Sequence, residues 1–157
     1  MSAVFSERAM REFEGIRSRY PDQEAAILPS LYLWQQEHGS VSDEGIVYIA
    51  GLLGLSPARI EGVATFYTMY NRKPVGRYHV QVCRNLSCSL MGAEHLIEHV
   101  SRKLGVRPGE TTADGTFTFS AVECLGSCGT APVMQVNDDY HENLTGDAID
   151  AILEKCR

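Results

Sequence analysis

The sequence predicts an α+β chain in two parts, a small helical bundle over residues 1–73 followed by an α+β layer over residues 74–157. Three observations carry this. Apolar residues recur at helical spacing in four short segments before Asn71-Arg72-Lys73-Pro74. After that point the period drops to two around Val80 and Phe119. A long amphipathic run from Ala93 to Leu104 separates those two strand-like segments. At 157 residues and 44% hydrophobic, the chain can bury a core without disulfide staples.

Each element has its own signal. Ser6 is placed to cap a first helix with Met10, Phe13, Ile16 and Tyr20 on one face, and Pro21 stops it. Asp22 opens a second segment in which Leu28, Leu31 and Tyr32 share a face, Pro29 marks a break or a fresh first turn, and Gly39 ends it. The third helix has a complete set of signals: Ser42 as cap, Asp43 and Glu44 in the first turn, Ile46, Ile49, Ala50 and Leu53 at helical spacing, then Gly54. Ser56 caps the fourth, with Pro57 at the first position, where a missing N–H costs nothing.

In the second part Tyr78, Val80 and Val82 alternate with His79 and Gln81, the pattern of a half-buried strand. The helix after it uses Ala93, Leu96, Ile97, Val100 and Leu104, and ends at Gly105. A loop through Pro108-Gly109 and Asp114-Gly115 feeds a strand in which Phe117, Phe119 and Ala121 alternate with polar residues. Short strands follow at Val133 to Val136 and around Tyr140, and Thr145 caps a last helix using Ile149, Ile152 and Leu153. The order strand, helix, strand, strand, strand, helix gives one right-handed crossover and an antiparallel edge.

Composition excludes several functions. The net charge of −6, with no stripe among the 14 basic residues, argues against nucleic-acid binding. The uncharged stretch from Gly45 to Ala58 falls well short of the roughly 20 apolar residues a membrane span needs. The N-terminal residues lack the apolar core of a secretory signal, so the expected compartment is the cytoplasm, where a disulfide framework does not persist. The five cysteines need another explanation.

Four of them form two pairs, Cys83-x4-Cys88 and Cys124-x3-Cys128, each beginning where a predicted strand ends. If the crossover joins those strands in parallel, both loops lie at one edge of the sheet and the four thiols converge. Four converging thiolates hold a structural zinc or an iron–sulfur cluster. The wide spacing favours a 2Fe-2S cluster, in which each pair serves a different iron, over zinc, which usually takes C-x2-C knuckles. Such a cluster is anionic and needs backbone N–H groups around it. Gly92, Gly126 and Gly129 allow close backbone approach, and Cys88 is placed just before a helix N-terminus. Neither pair has the C-x-x-C spacing of a thiol redox enzyme. Cys156 stands outside the pattern as a non-ligand thiol, and His95 and His99 read as a solvated polar face. Trp34 packs between helices, and Phe66, Tyr67 and Tyr70 are either bundle core or a docking surface.

These cysteine pairs, the 35-residue gap between them, Gly62-Val-Ala-Thr-Phe-Tyr67, Gly126 and Ala131-Pro132 resemble the E-subunit family of bacterial NADH:quinone oxidoreductase, respiratory complex I. Leu28-Pro29, Gly39, Pro74-Val-Gly-Arg77, Asp114-Gly-x-Phe117 and Leu144-Thr145 extend the resemblance over nearly the whole chain. The resemblance implies a thioredoxin-like 2Fe-2S ferredoxin domain after the bundle, with Cys83, Cys88, Cys124 and Cys128 as the cluster ligands. It also implies a part in a larger machine. The partners expected are a flavin- and NADH-binding subunit, which would carry FMN and NADH, and a larger multi-cluster iron–sulfur subunit. The place expected is the peripheral arm, on the cytoplasmic side of an inner-membrane complex. The chain itself has no G-x-G-x-x-G dinucleotide fingerprint. Two alternatives stay open, the equivalent diaphorase subunit of an NAD-linked hydrogenase or formate dehydrogenase, and a zinc-stapled scaffold with no redox role.

Overall fold

The computed structural model describes residues 3–156. The chain divides into two units, one ending at Pro74 and the other beginning at Val75. Among the described residues no helix is long and apolar enough to cross a membrane.

The first unit holds helices α1 (Glu7–Arg19), α2 (Ile27–His38), α3 (Asp43–Leu53) and α4 (Pro57–Phe66), with a 3-10 turn at Gln23–Ala26. Ser6, Ser42 and Ser56 cap α1, α3 and α4, each hydroxyl accepting the N–H of the residue three positions on. Gly39 and Gly54 end α2 and α3 with φ of 79° and 68°, a left-handed conformation that glycine adopts without strain.

Two expected faces are different. Asp22 caps the 3-10 turn, so α2 starts at Ile27 and takes Pro29 into its first turn. Its buried stripe is Ile27, Ser30, Leu31 and Trp34, while Leu28 and Tyr32 point to solvent. In α1 the buried residues are Ala9 and Phe13, flanked by Met10 and Ile16, and Tyr20 lies past the last turn, exposed.

Trp34 is fully buried at the centre of this unit, with ring centroids of Phe5 at 5.6 Å and Tyr48 at 5.4 Å. Gly45 of α3 lies against the indole, and a Cβ there would overlap its Cε2, Nε1 and Cζ2 atoms. The expected aromatic cluster is divided. Tyr70 is buried with its hydroxyl donating to the Leu28 carbonyl at 2.8 Å, whereas Phe66, Tyr67 and Met69 are exposed.

The second unit holds strands β1 (Tyr78–Cys83), β2 (Phe117–Val122), β3 (Met134–Val136) and β4 (Asp139–His141), with helices α5 (Leu86–Leu90), α6 (Ala93–Leu104) and α7 (Gly146–Lys155). The sheet order is β2-β1-β3-β4. β1 and β2 are parallel from Tyr78↔Phe117 to Cys83↔Val122, and the remaining pairs are antiparallel. Val80, Val82, Phe117 and Phe119 pack with Val100 of α6 and Ile149 and Leu153 of α7. The segment after α6 turns back along the outer edge of β2: Gly109 N–H donates to the Phe119 carbonyl, Phe119 N–H to the Glu110 carbonyl and Thr112 N–H to the Phe117 carbonyl.

His99 is half-buried rather than solvated, since its Nε2 is 2.8 Å from Asp150 Oδ1 on α7. Lys103 reaches the same carboxylate at 3.3 Å, so the two helices share a charged seam that no local pattern in α6 reveals.

His79 is on the other face of the sheet, its Nε2 2.9 Å from Ser120 Oγ, and burial lowers its pKa below the usual 6.5. A histidine held neutral in the fold contributes fully above about pH 6.5, and that contribution is lost as pH falls through the depressed value. The second unit should therefore lose stability below about pH 6.5, and His79→Gln should flatten the dependence. Urea unfolding followed by circular dichroism between about pH 5 and pH 8 checks this, and an unchanged slope in the variant contradicts it.

Candidate metal centre

The cysteines stand where the sheet delivers them. β1 ends at Cys83 and β2 at Val122, and these two residues are partners in the parallel ladder. The ladder continues one step further, with Arg84 N–H donating to the Val122 carbonyl at 2.9 Å. On its other side Cys83 N–H donates to the Val133 carbonyl at 3.1 Å. Both cysteine loops therefore leave the sheet at the same edge, as the crossover requires.

The first loop becomes α5. Asn85 caps it, with Oδ1 accepting the Leu86 N–H at 2.7 Å, and Cys88 lies inside the helix, facing inward. Cys88 precedes α6, as expected from sequence, but it lies within a five-residue helix of its own rather than in an open loop. Gly92, at φ 88°, makes the turn between α5 and α6. Cys83 and Cys88 are both buried, in a small cluster with Ala93, Ala131 and Val133.

The second loop keeps Cys124 and Cys128 exposed. Gly126, at φ 79°, directs its N–H toward Cys124 Sγ at 3.3 Å. Gly126 and Gly129 both have open space where a Cβ would be. Glu142 anchors this loop from beyond β4, accepting from the Ser127 hydroxyl and, at 2.7 Å, from the Thr130 hydroxyl. Those two hydrogen bonds hold its carboxyl below the usual carboxylate range. The Tyr140 hydroxyl donates to the Leu125 carbonyl at 2.8 Å from the same side. Neither anchor is visible in the sequence, because they join residues 12 to 15 apart with no shared motif.

The sulfurs act on one another. Burial pushes the Cys88 thiol up to about 11, helped by a hydrogen bond with Cys83 and by the charges of Cys83 and Cys128. The Cys83 thiol is also 3.9 Å from the Glu123 carbonyl, next to Cys124 in the chain. Among the described residues, no three His, Cys, Asp or Glu side chains stand within reach of one metal ion. Cys156 is at the far end of α7, packed against the sheet's core, and His95 points outward from α6.

This donor set suits a two-iron centre. It offers one buried and one exposed pair of soft sulfur ligands from two loops, where each iron of a 2Fe-2S cluster takes two thiolates. The Cys88 thiol already feels the Cys83 and Cys128 sulfurs, and a backbone N–H is turned to the Cys124 sulfur.

Comparison with known proteins agrees. The model of the thioredoxin-like [2Fe-2S] ferredoxin family matches residues 13–157. The E 2 subunit of NADH-quinone oxidoreductase from Rhizobium meliloti (strain 1021) is 49% identical over 146 residues, covering 93% of this chain and 87% of that protein. NADH-quinone oxidoreductase subunit 2 of Thermus thermophilus is 48% identical over 143 residues, covering 89% and 79%. The E subunit of the Rickettsia conorii NADH-quinone oxidoreductase is 44% identical over 155 residues, covering 97% and 93%. Among solved structures, an NAD+-reducing [NiFe]-hydrogenase in the H2-reduced state superposes with a TM-score of 0.71 at 24% identity, covering 83% of this chain and 22% of that chain. That likeness is one of fold.

Proposed function

The chain belongs to the thioredoxin-like [2Fe-2S] ferredoxin family, and from that premise we propose that it is the electron-transfer subunit of an NADH:quinone oxidoreductase. In this reading Cys83, Cys88, Cys124 and Cys128 hold one 2Fe-2S cluster, and the observation that carries it is the parallel β1/β2 pairing that brings both cysteine loops to one edge. When bound, the cluster accepts and returns one electron at a time.

The chain's own residues divide the remaining work. Ala93, Ala131 and Val133 keep water from the Cys83 and Cys88 sulfurs. The Gly126 N–H stabilises negative charge on Cys124. Ser127, Thr130 and Glu142 fix the loop that carries Cys124 and Cys128, and leave that side open to a partner. The partners are a flavin- and NADH-binding subunit, which carries FMN, and a larger multi-cluster iron–sulfur subunit, within a peripheral arm on the cytoplasmic side. The first unit docks to them through the exposed Phe66, Tyr67 and Met69.

Relatives at 44–49% identity carry the NADH-quinone oxidoreductase name, while the hydrogenase likeness at 24% reaches only the fold, so the first reading is preferred to the hydrogenase one. Iron and acid-labile sulfide analysis of the purified chain tests the cluster, with two of each expected per chain. Tightly bound zinc without sulfide would sink the proposal and restore the zinc-stapled scaffold.

A further inference from the structure

Arg84 follows the ligand-position Cys83, and Glu123 precedes Cys124, so one charged residue lies at the base of each cysteine loop. They are joined. Arg84 Nε donates to Glu123 Oε1 at 3.0 Å, and Nη2 donates to the same oxygen. Beneath them the Arg84 N–H to Val122 carbonyl bond closes the last rung of the parallel ladder. Among the described residues this is the ion pair that links the two loops.

The side chains are 54% and 76% exposed, and a pair so open to water adds little to fold stability. Its position has a different consequence. A fixed cation beside a centre that gains an electron favours the reduced form, and a fixed anion disfavours it. Held together, guanidinium and carboxylate nearly cancel.

We infer that the Arg84–Glu123 pair shields the reduction potential of the metal centre from either lone charge, each neutralising the other at the base of the two cysteine loops. This rests on the 2Fe-2S reading above. Arg84 and Glu123 are positioning residues with opposite electrostatic effects, and a purely mechanical clamp would not have that signature.

The test is a redox titration of the cluster-loaded full chain, with dithionite supplying one electron per centre and electron paramagnetic resonance reading the reduced fraction. Glu123→Gln leaves the Arg84 cation unpaired and raises the reduced-to-oxidised ratio several-fold at a fixed poise. Arg84→Gln leaves the carboxylate unpaired and lowers the ratio by a similar factor. The double variant returns close to wild type. Both single shifts shrink as salt rises to about 1 M, where the screening length falls to about 3 Å. Arg84→Lys keeps the charge and stays near the wild-type ratio, and with Glu123→Gln it decides the matter if Arg84→Gln fails to load.

Single variants that shift in the same direction, a double variant further from wild type than either, or a loaded Glu123→Gln chain with no shift would each overturn the inference. Iron and sulfide content separates the failures. A wild-type chain without a cluster overturns the functional reading and this inference together, whereas a loaded chain with an unmoved ratio overturns this inference alone.

Discussion

Cys124→Ser should lower the iron and acid-labile sulfide of the purified chain by at least about tenfold, the order of loss seen when even residues behind a metal ligand are removed. A serine oxygen at that position is a harder donor than a thiolate and suits this centre less well. Because Cys124 is exposed, the substitution removes the proposed ligand without opening a cavity, and the sheet should remain folded. Cys88→Ala goes further. Cys88 is packed against Ala93, Ala131 and Val133, so that variant loses both the proposed ligand and a buried contact. Cys156→Ser should leave the cluster unchanged, since α7 carries it to another part of the domain. The chain's one tryptophan, Trp34, is in the first unit, so its fluorescence separates loss of the cluster from loss of the bundle. Normal visible absorbance in Cys124→Ser would remove that residue from the ligand set.

The bundle has its own sensitive point. Gly45→Ala should destabilise the first unit by about 1–3 kcal/mol, although alanine is the better helix former by up to about 1 kcal/mol. The new methyl would stand inside the Trp34 indole, and the ring is fully buried between Phe5, His38 and Tyr48 with no room to retreat. Trp34→Phe removes the atoms that meet the methyl, together with a buried indole N–H that has no hydrogen-bond partner. The double variant should therefore be more stable than the sum of the single effects requires, by about 1 kcal/mol or more. Urea unfolding by circular dichroism measures all three, and additive effects would mean that the methyl and the indole do not meet.

The local signals in the sequence were sufficient wherever one segment settles its own conformation. Ser42, Gly54 and Ser56 mark their helix ends by chemistry that acts within one turn, and α3 and α4 follow them. The pairing of the two cysteine loops was legible as well, because the handedness of a strand-helix-strand crossover leaves one arrangement. What escaped was either too short or too distant. Leu86-Ser-Cys-Ser-Leu90 covers little more than one helical turn, so α5 has no period to detect. The face of α2 is not legible because apolar residues lie on several sides of it, Leu28 and Tyr32 exposed and Ile27, Leu31, Leu33 and Trp34 buried, so spacing alone does not choose the inward stripe. The Glu142 anchor, the His99–Asp150 contact and the Arg84–Glu123 pair join residues 12 to 51 apart, and only the folded chain brings them together.

The segment that turns back along β2 also decides how the sheet meets other chains. An uncovered edge strand is a template on which a foreign strand can add, and long ones lead to aggregation or to partners bound by sheet extension. Here residues 109–112 already occupy the backbone groups of Phe117 and Phe119 on that side, and the opposite edge is β4, three residues long. Among the described residues, neither margin offers a long row of free amides to a newcomer. Recognition of this domain is left to side chains on its faces and loops, where charge and shape can discriminate among partners as backbone pairing cannot.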